Sequence, residues 1–478
     1  MINFGSDTRT NPSLTTDLGT STALRSALDR ASDPIPLARS AGVTAAYVAT
    51  ITGTESFDFL RGTSGDDRIF GLGGSDTITA TSGNDSIDAG TGFDAVVYGL
   101  NTAITLRPAG VIDKGQFGQD TLRFVERIVG QAGFANSVDA SSITSGSTAI
   151  EVNLGGRFIN VGNIPGIGFR GFTIENFVNA TGTSNNDTFT GSDGNNLLSG
   201  LGGDDFFNAT RGNDRIEGGA GFDTIDYRPL NVAITINPTG VINKGSAGQD
   251  TLFQVDRIIG AVNQTNTIDA LSTPGGASIN VQLLNNLLQV RDIPGLGLRN
   301  FFAENFRNVN GTQNRDNLDG NNANNVLNGF GGNDGIFGRG GDDVLSGGAG
   351  TDFVVGGDGN DVINGTDAAA RGRSEIDDLE GGSGNDRFIF GDRSGSFYKF
   401  NGVNDVVGVR DFSSGDVIQL GLGETYRTVS RSGGFDLFVV TGGANDLVAR
   451  VNTTTAVSVP TSNFTIASGQ RLGAFIGA

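Results

Sequence analysis

A nine-residue period is the feature that most constrains how this chain can fold. It is clearest at residues 329–364, which divide into "GFGGNDGIF", "GRGGDDVLS", "GGAGTDFVV" and "GGDGNDVIN". In this frame positions 1 and 4 are glycine, position 6 is aspartate and position 8 is apolar. An apolar residue that returns at a fixed interval favours a folded repeat over a disordered acidic tract, which has no such period.

The same frame occurs in three separate arrays, which together contain 15 nonapeptides. Position 8 is apolar in every one, so we expect these side chains to line a core. They are Ile69, Ile78, Ile87, Val96, Phe189, Leu198, Phe207, Ile216, Ile225, Leu318, Leu327, Ile336, Leu345, Val354 and Ile363.

The acid at position 6 indicates a divalent cation as the missing component of the fold. A hard dication such as Ca²⁺ takes about six to eight oxygen ligands, from carboxylates and backbone carbonyls. One carboxylate per loop supplies too little charge, so we expect a site to form between two stacked loops. Glycine lets such tight loops form, since it reaches left-handed φ at little cost. The alternative for any single aspartate is an Asx-turn or a solvated loop charge.

The chain's net charge of −20 also favours cationic partners. It argues against nucleic acid and anionic membrane surfaces, because both attract basic proteins. The absence of cysteine and histidine excludes disulfides, thiolate zinc sites, Ser-His-Asp triads and HExxH zinc sites. No apolar run reaches the length of a transmembrane helix, and the N-terminal residues do not read as a secretory signal.

The nonapeptides resemble the GGxGxDxUx repeat of RTX (repeats-in-toxin) proteins. The resemblance implies an all-β fold, a right-handed parallel β-roll in which each nonapeptide gives a six-residue loop and a three-residue strand. It also implies that loops n and n+2 stack and hold one Ca²⁺ between them. About nine sites follow, with +18 in bound calcium close to the chain's −20.

On this resemblance, each calcium site pairs two position-6 residues. The nine pairs are Asp67 with Asp85, Asp76 with Asp94, Asp187 with Asp205, Asn196 with Asp214, Asp205 with Asp223, Asp316 with Asp334, Asn325 with Asp343, Asp334 with Asp352, and Asp343 with Asp361. Asn196 and Asn325 carry no charge, so we expect them to weaken their sites. An isolated nonapeptide further along places Asp386, a further candidate calcium ligand, at position 6 and Phe388 at position 8.

The position-4 glycines complete the predicted metal loops. They are Gly65, Gly74, Gly83, Gly92, Gly194, Gly203, Gly212, Gly221, Gly332, Gly341, Gly350 and Gly359.

A second, longer repeat separates the arrays. Residues 101–130 match residues 231–260 at 19 of 30 positions, and the alternation of both segments predicts β-strands and hairpins. We expect these inserts to continue or clasp the solenoid, and they resemble inserts of secreted RTX-type proteins, notably cyanobacterial ones. Their acids Glu126 and Asp256 are candidate surface acids with no catalytic partners in the sequence.

These features predict seven regions. They are an N-terminal segment or cap (1–60), a first array (61–97), a first β insert (98–181), a second array (182–226), a second β insert (227–310), a third array (311–366) and a C-terminal β cap (367–478). A short amphipathic helix is expected at residues 21–32. The last region resembles the post-repeat segment of type I secretion substrates, which implies an uncleaved C-terminal export signal.

These features bear on three functions. The predicted one is a secreted, calcium-binding protein of the cell surface or extracellular matrix, such as a surface-layer, filament or adhesion component, without enzymatic activity. The expected partners are calcium, the type I secretion machinery, and further copies of the chain or cell-surface polysaccharide. The alternative is a glycan-active hydrolase or lyase, for which two acids suffice. A toxin ranks lowest, since no membrane-active apolar segment is present.

Overall fold

A computed structural model describes residues 48–143, 148–164, 168–293, 297–399, 404–441, 444–455, 459–460, 462–465 and 474–476. Within these ranges the regular structure is β-strand, apart from four 3₁₀ turns: η1 (Gly115–Phe117), η2 (Arg228–Leu230), η3 (Gly245–Ala247) and η4 (Leu283–Asn285). None of the described helical segments has the length and apolarity needed to cross a membrane. The helix predicted for residues 21–32 lies outside the described residues.

The strands are short and follow one another along the described part of the chain. From the end of the N-terminal segment through the first array and first insert they are β1 (Ala49–Thr52), β2 (Phe59–Arg61), β3 (Asp67–Phe70), β4 (Thr77–Thr79), β5 (Ser86–Asp88), β6 (Ala95–Val97), β7 (Thr105–Arg107), β8 (Val111–Asp113), β9 (Gln119–Arg123), β10 (Arg127–Val129), β11 (Asn136–Asp139), β12 (Ile150–Asn153), β13 (Phe158–Ile164), β14 (Gly168–Glu175) and β15 (Phe177–Thr181).

The second array and second insert repeat this series of strands. They form β16 (Thr188–Thr190), β17 (Leu197–Gly202), β18 (Phe206–Asn208), β19 (Arg215–Ala220), β20 (Thr224–Asp226), β21 (Thr235–Asn237), β22 (Val241–Asn243), β23 (Gln249–Phe253), β24 (Arg257–Ile259), β25 (Asn266–Asp269), β26 (Ser278–Gln282), β27 (Leu287–Ile293), β28 (Gly297–Glu304) and β29 (Phe306–Asn310).

The third array and the C-terminal region supply the remaining strands. They are β30 (Asn317–Asp319), β31 (Val326–Gly331), β32 (Gly335–Gly340), β33 (Val344–Ala349), β34 (Phe353–Asp358), β35 (Val362–Asn364), β36 (Ile376–Ser383), β37 (Arg387–Ile389), β38 (Gly391–Asp392), β39 (Gly395–Ser396), β40 (Val406–Phe412), β41 (Val417–Gln419), β42 (Thr425–Arg431), β43 (Gly434–Thr441), β44 (Ala444–Thr453), β45 (Phe464–Thr465) and β46 (Ala474–Ile476).

Successive nonapeptides alternate between two parallel sheets. In the third array β33 pairs with β35 with Leu345 opposite Ile363, while β32 pairs with β34 with Ile336 opposite Val354. Each partner is therefore two nonapeptides, or 18 residues, away. This register confirms the predicted all-β, parallel roll.

Both sheets run without a break through the arrays and the inserts. Sheet A has the order β1-β3-β5-β9-β8-β7-β11-β15-β17-β19-β23-β22-β21-β25-β29-β31-β33-β35-β37-β41-β46. Sheet B has the order β2-β4-β6-β10-β14-β13-β12-β16-β18-β20-β24-β28-β27-β26-β30-β32-β34-β36-β40-β44-β43-β42-β45.

Each insert adds one antiparallel strand to each sheet. In sheet A the chain first forms β7, returns along β8, and then lays β9 in parallel beside β5. In sheet B the strands β12, β13 and β14 do the same, and β14 joins β10 in parallel. The second insert repeats both steps with β21 to β23 and β26 to β28. The inserts thus lengthen the solenoid along its own axis.

The core is a single layer of apolar side chains between the two sheets. All 15 position-8 residues are buried, with Ile216 the most exposed at 3%. Phe388, predicted at position 8 of the isolated nonapeptide, is also buried. Three-residue strands supply only one inward side chain each in most nonapeptides, so the apolar layer is thin.

Candidate metal centres

The position-6 side chains form ladders along the edges of the solenoid. In the third array the backbone N–H of Asp334 donates to Asp352 Oδ1 at 2.8 Å, and that of Asp343 donates to Asp361 Oδ1 at 2.8 Å. The same bond links all nine predicted pairs, with N···O distances of 2.7 to 3.0 Å. Loops two nonapeptides apart therefore stack directly, as the resemblance implied.

The second carboxylate oxygen of most of these aspartates has no hydrogen-bond partner among the described residues. The buried, unpartnered Oδ2 atoms in the predicted set belong to Asp76, Asp94, Asp205, Asp223, Asp334, Asp343, Asp352, Asp361 and Asp386. A buried carboxylate oxygen without a donor is costly, and a cation removes that cost. Because the same oxygen atom is unpartnered at equivalent positions of many loops, the lack of a donor is a property of the loop and not of one residue.

Position 1 explains how the space around this oxygen is kept open. A methyl group on Gly329 would lie 2.2 Å from Asp334 Oδ2 and 2.5 Å from the carbonyl oxygen of Gly347, which begins the loop stacked on it. A methyl group on Gly338 would meet Asp343 Oδ2 and the Gly356 carbonyl at the same two distances. A carboxylate and a carbonyl from successive loops therefore converge on one small space, and glycine leaves it free.

Position 4 explains how closely the loops can stack. Gly350 has φ of 142°, and a Cβ on it would lie 1.6 Å from the Gly332 carbonyl oxygen of the preceding loop on the same side. Ten of the twelve predicted position-4 glycines have φ in the left-handed region, whereas Gly65 and Gly194 do not. Any L-residue at the ten would be strained.

The donors in these loops fit calcium. Within the described ranges, no group of three or more His, Cys, Asp or Glu side chains is placed to hold a metal ion. Each candidate centre therefore offers carboxylate and backbone carbonyl oxygens alone, the donor set that hard cations such as Ca²⁺ prefer. These residues fit the calcium role that the sequence predicts for them, and that role remains a prediction.

In the first loop of each array, Oδ2 of the position-6 aspartate already has a hydrogen-bond donor from the protein. The backbone N–H groups of the position-2 threonines donate to Oδ2 of the first position-6 aspartate, from Thr63 to Asp67 at 2.6 Å and from Thr183 to Asp187 at 2.6 Å. In the third array Thr312 makes the same bond to Asp316 at 2.5 Å. These three carboxylates therefore lack the open oxygen of the interior loops.

The side chains of the two predicted asparagines are also hydrogen-bonded within the protein, but through their amide nitrogen. Asn196 Nδ2 donates to the Val178 carbonyl at 2.8 Å, and Asn325 Nδ2 donates to the Arg307 carbonyl at 3.0 Å. Each amide group thus bonds to the backbone 18 residues before it. This geometry supports the expectation that asparagine weakens these sites.

The ladders extend beyond the predicted residues. Four further aspartates accept a hydrogen bond from the backbone N–H of a position-6 aspartate at 2.9 to 3.1 Å, namely Asp120, Asp250, Asp377 and Asp416. Asp58 extends a ladder at its other end, since its own N–H donates to Asp76 Oδ1 at 2.9 Å. The frame could have found two of them, since "GQFGQDTLR" (115–123) and "GSAGQDTLF" (245–253) match it fully. Asp377 was hidden because extra residues separate it from Asp352 by 25 positions rather than 18.

The candidate surface acids of the inserts also join the ladders. Glu126 accepts from the Asp94 backbone N–H at 2.8 Å, and Asp256 accepts from that of Asp223 at 2.9 Å. Asp386 is contacted from both sides, since it accepts from Asp361 and donates to Asp416. These acids therefore have a structural place in loop stacking.

Burial makes the interior carboxylates hard to ionise in the absence of metal. It raises the pKa of Asp205 and of Asp334 to about 8, with nearby carboxylates adding to the rise. It raises the pKa of Asp343, Asp352 and Asp386 to about 7. Protons therefore compete with a cation for these oxygens.

Without calcium, the fold is expected to become less stable as the pH rises from about 6 to about 8. The folded-state pKa values exceed the usual 3.8, so the folded chain binds more protons than the unfolded chain and loses stability as they leave. Circular dichroism in EGTA should show less β-structure at the upper end of this range. Equal or greater β content there would contradict it, and calcium-saturated samples provide the control.

Comparisons with known proteins agree with the geometry. The profile of the RTX calcium-binding nonapeptide repeat matches residues 52–87, 61–96, 181–216, 208–226, 310–345, 337–368 and 371–392. No curated protein sequence matches the chain. Among solved structures, the extracellular lipase LipA from Serratia marcescens aligns with 17% identity over 56% of this chain and 38% of the lipase, with a TM-score of 0.16. This chain thus spans well under half of the lipase, and so low a score carries no weight for function.

Proposed function

This chain is an RTX-repeat protein with calcium-binding nonapeptides, and from that premise we propose that it is a secreted structural component of the cell surface or extracellular matrix. In this proposal calcium outside the cell completes the solenoid and the chain carries out no reaction. A surface layer, a filament or an adhesion structure would each use such a rod.

The observation that carries the proposal is the repeated open carboxylate oxygen in the stacked loops. The buried Oδ2 atoms of Asp334, Asp343, Asp352 and Asp361 face the carbonyl oxygen of the next stacked loop, at the same place in each. A cation bound there would hold successive coils together along the solenoid axis. Calcium would then be a structural part of the protein rather than a reactant.

Export is proposed from the same requirement. Calcium is plentiful outside cells and scarce inside, so a chain that needs many ions to fold would stay unfolded until it leaves. The resemblance of residues 409–420 to the post-repeat region of type I secretion substrates supports this route. The absence of cysteine in the sequence fits any compartment and does not bear on it.

The positions and hydrogen bonds of the acidic residues also favour a structural role. The described interior acids lie in the loop ladders, where their backbone N–H groups and Oδ1 atoms bond to neighbouring loops. One open groove is lined by Arg291, Arg315 and Asp316, and another by Asp193 and Arg211. Each groove is lined by a single acid, whereas glycoside hydrolysis uses a pair of carboxylates.

Electron microscopy tests the structural proposal. In millimolar calcium the full chain is expected to form filaments or sheets, or to sediment with purified cell-surface polysaccharide, and to lose both properties in EGTA. Calcium permits this because it fixes the solenoid into a rigid rod with defined ends. Isolated particles with no polysaccharide binding in calcium would contradict a structural role. Hydrolysis of a glycan by the same sample would favour the alternative.

A further inference from the structure

Lysine is rare in this chain, and its placement is unusual. The sequence contains three lysines, Lys114, Lys244 and Lys399, against 52 acidic residues. Lys114 and Lys244 occupy equivalent places in the two inserts, and their side chains have 0% exposure. A fully buried ammonium group requires a specific set of oxygen partners.

The loop that follows each lysine stacks as a nonapeptide loop does. In the first insert the Thr121 N–H donates to the Asp85 carbonyl at 2.8 Å, and the Asp85 N–H donates to Asp120 Oδ1 at 3.1 Å. In the second array the Thr224 N–H donates to the Asp205 carbonyl at 2.9 Å, and the Asp205 N–H donates to Asp223 Oδ1 at 2.9 Å. The space between Asp85 and Asp120 is therefore equivalent to a predicted calcium position.

The lysine Nζ fills that space. Lys114 Nζ donates to the Thr81 carbonyl at 2.7 Å, lies 3.5 Å from Asp85 Oδ2 and bonds to Asp120 Oδ1. Three oxygens from two stacked loops thus surround one ammonium group. A carboxylate from each loop and a backbone carbonyl make up this set.

The second insert repeats the arrangement. Lys244 Nζ donates to the Thr210 carbonyl at 2.8 Å, lies 3.3 Å from Asp214 Oδ2 and bonds to Asp250 Oδ1. Tyr227 Oη also donates to Asp250 Oδ2 at 2.9 Å. Because the same geometry occurs in both inserts, an accidental contact does not explain it.

We propose that Lys114 and Lys244 are tethered cations that take the place of calcium between two pairs of stacked loops. Oδ2 of Asp85 and of Asp214 accordingly has partners, the lysine Nζ and a threonine hydroxyl of the same loop at 3.4 Å. Oδ2 of Asp334, Asp343 and Asp352 has none among the described residues. An ammonium is a compact point charge and can fill a cation position, which the planar guanidinium of arginine cannot. The inference rests on the proposed calcium role of the other loops.

Position 1 of the same loops is consistent with a built-in cation. It is Ala80 in one and Ala209 in the other, where twelve of the fifteen nonapeptides have glycine. The remaining alanine, Ala89, begins the loop of Asp94, so alanine alone does not define the lysine positions. With its cation attached to the chain, a lysine loop does not need the full open space that glycine gives.

The test converts each lysine position back into a metal position. Bound calcium per chain is measured by elemental analysis after gel filtration, at one fixed free calcium concentration, for the full-length protein. Ala80→Gly with Lys114→Ala, and Ala209→Gly with Lys244→Ala, should each bind one more calcium than the wild type, and the combined variant should bind two more. Lys399→Ala is the matched control, because Lys399 pairs with Glu424 away from the loops, and should bind no more.

Two results would overturn the inference without touching the proposed function. The first is that the wild type binds calcium and the lysine-position variants bind the same number of calcium ions as the wild type. The second applies even if the variants do not fold, and uses hydrogen exchange of the wild type in EGTA. Residues 80–85 and 115–120 should stay protected relative to residues 329–347, and equal exchange would show that the lysine does not replace the metal. A wild type that binds no calcium would instead refute the proposed function.

Discussion

Removal of calcium with EGTA is expected to abolish most of the β-structure of the chain, and re-addition of calcium should restore it. The described core is one thin layer of position-8 side chains, and ordering each residue costs about 1 to 2 kcal/mol of conformational entropy. Without a cation, the buried Oδ2 atoms add the cost of unpaired carboxylates. The metal-free state should therefore be expanded, and calcium should fold it by binding the folded form alone.

Far-ultraviolet circular dichroism during a calcium titration measures this change, and small-angle scattering measures the expansion. Magnesium provides the control, because its smaller size and strict octahedral geometry suit these loops poorly. The same β content in micromolar and in millimolar calcium would refute calcium-coupled folding. Residual protected structure confined to the inserts would be compatible with it, since Lys114 and Lys244 remain there.

Asp334→Ala is expected to have the second largest effect, and to exceed Asp67→Ala clearly. Asp334 acts in two loop pairs, because Oδ1 accepts the Asp316 N–H at 2.8 Å and Oδ2 faces the space shared with Gly347. Asp67 starts its ladder, and its Oδ2 already accepts from Thr63. We expect the calcium midpoint of folding to rise about tenfold or more for Asp334→Ala, equivalent to about 1.4 kcal/mol or more.

The calcium midpoint from circular dichroism and the number of bound ions are the two measurements. Asp343→Ala serves as a second interior variant, since it accepts from the Asn325 N–H at 2.7 Å and donates to Asp361. Both interior variants should lose more than one ion per chain. Interior variants that only match Asp67→Ala would show that stacked loops do not share ions.

The period in the sequence was sufficient to predict the core, and the family resemblance was needed to predict the loop pairing. Position 8 follows from a nine-residue frame that repeats 15 times, and all of these side chains are buried. The pairing of loops 18 residues apart came from the family resemblance, and the bond from Asp334 to Asp352 shows it directly. These features are local and periodic, which is why sequence carries them.

The path of the inserts could not be predicted in the same way. Their alternation indicated strands, but in sheet A it is β9, and not β7, that lies beside β5, so the order of the strands in space differs from their order in the sequence. Likewise, Lys114 lies six residues from Asp120 in sequence, while its contact with the Thr81 carbonyl spans 33 residues. Such partners are set by the course of the chain in space, and no local pattern encodes them.

The unbroken order of strands in both sheets has a consequence for how such a chain can change its length. Each insert leaves both sheets with a parallel strand at their growing edge, so the next array can start as the previous one did. A gene that duplicated or deleted one array together with its insert would leave no mismatched edge in the product. Proteins of this design could therefore vary in reach by whole units while every loop kept its own neighbours.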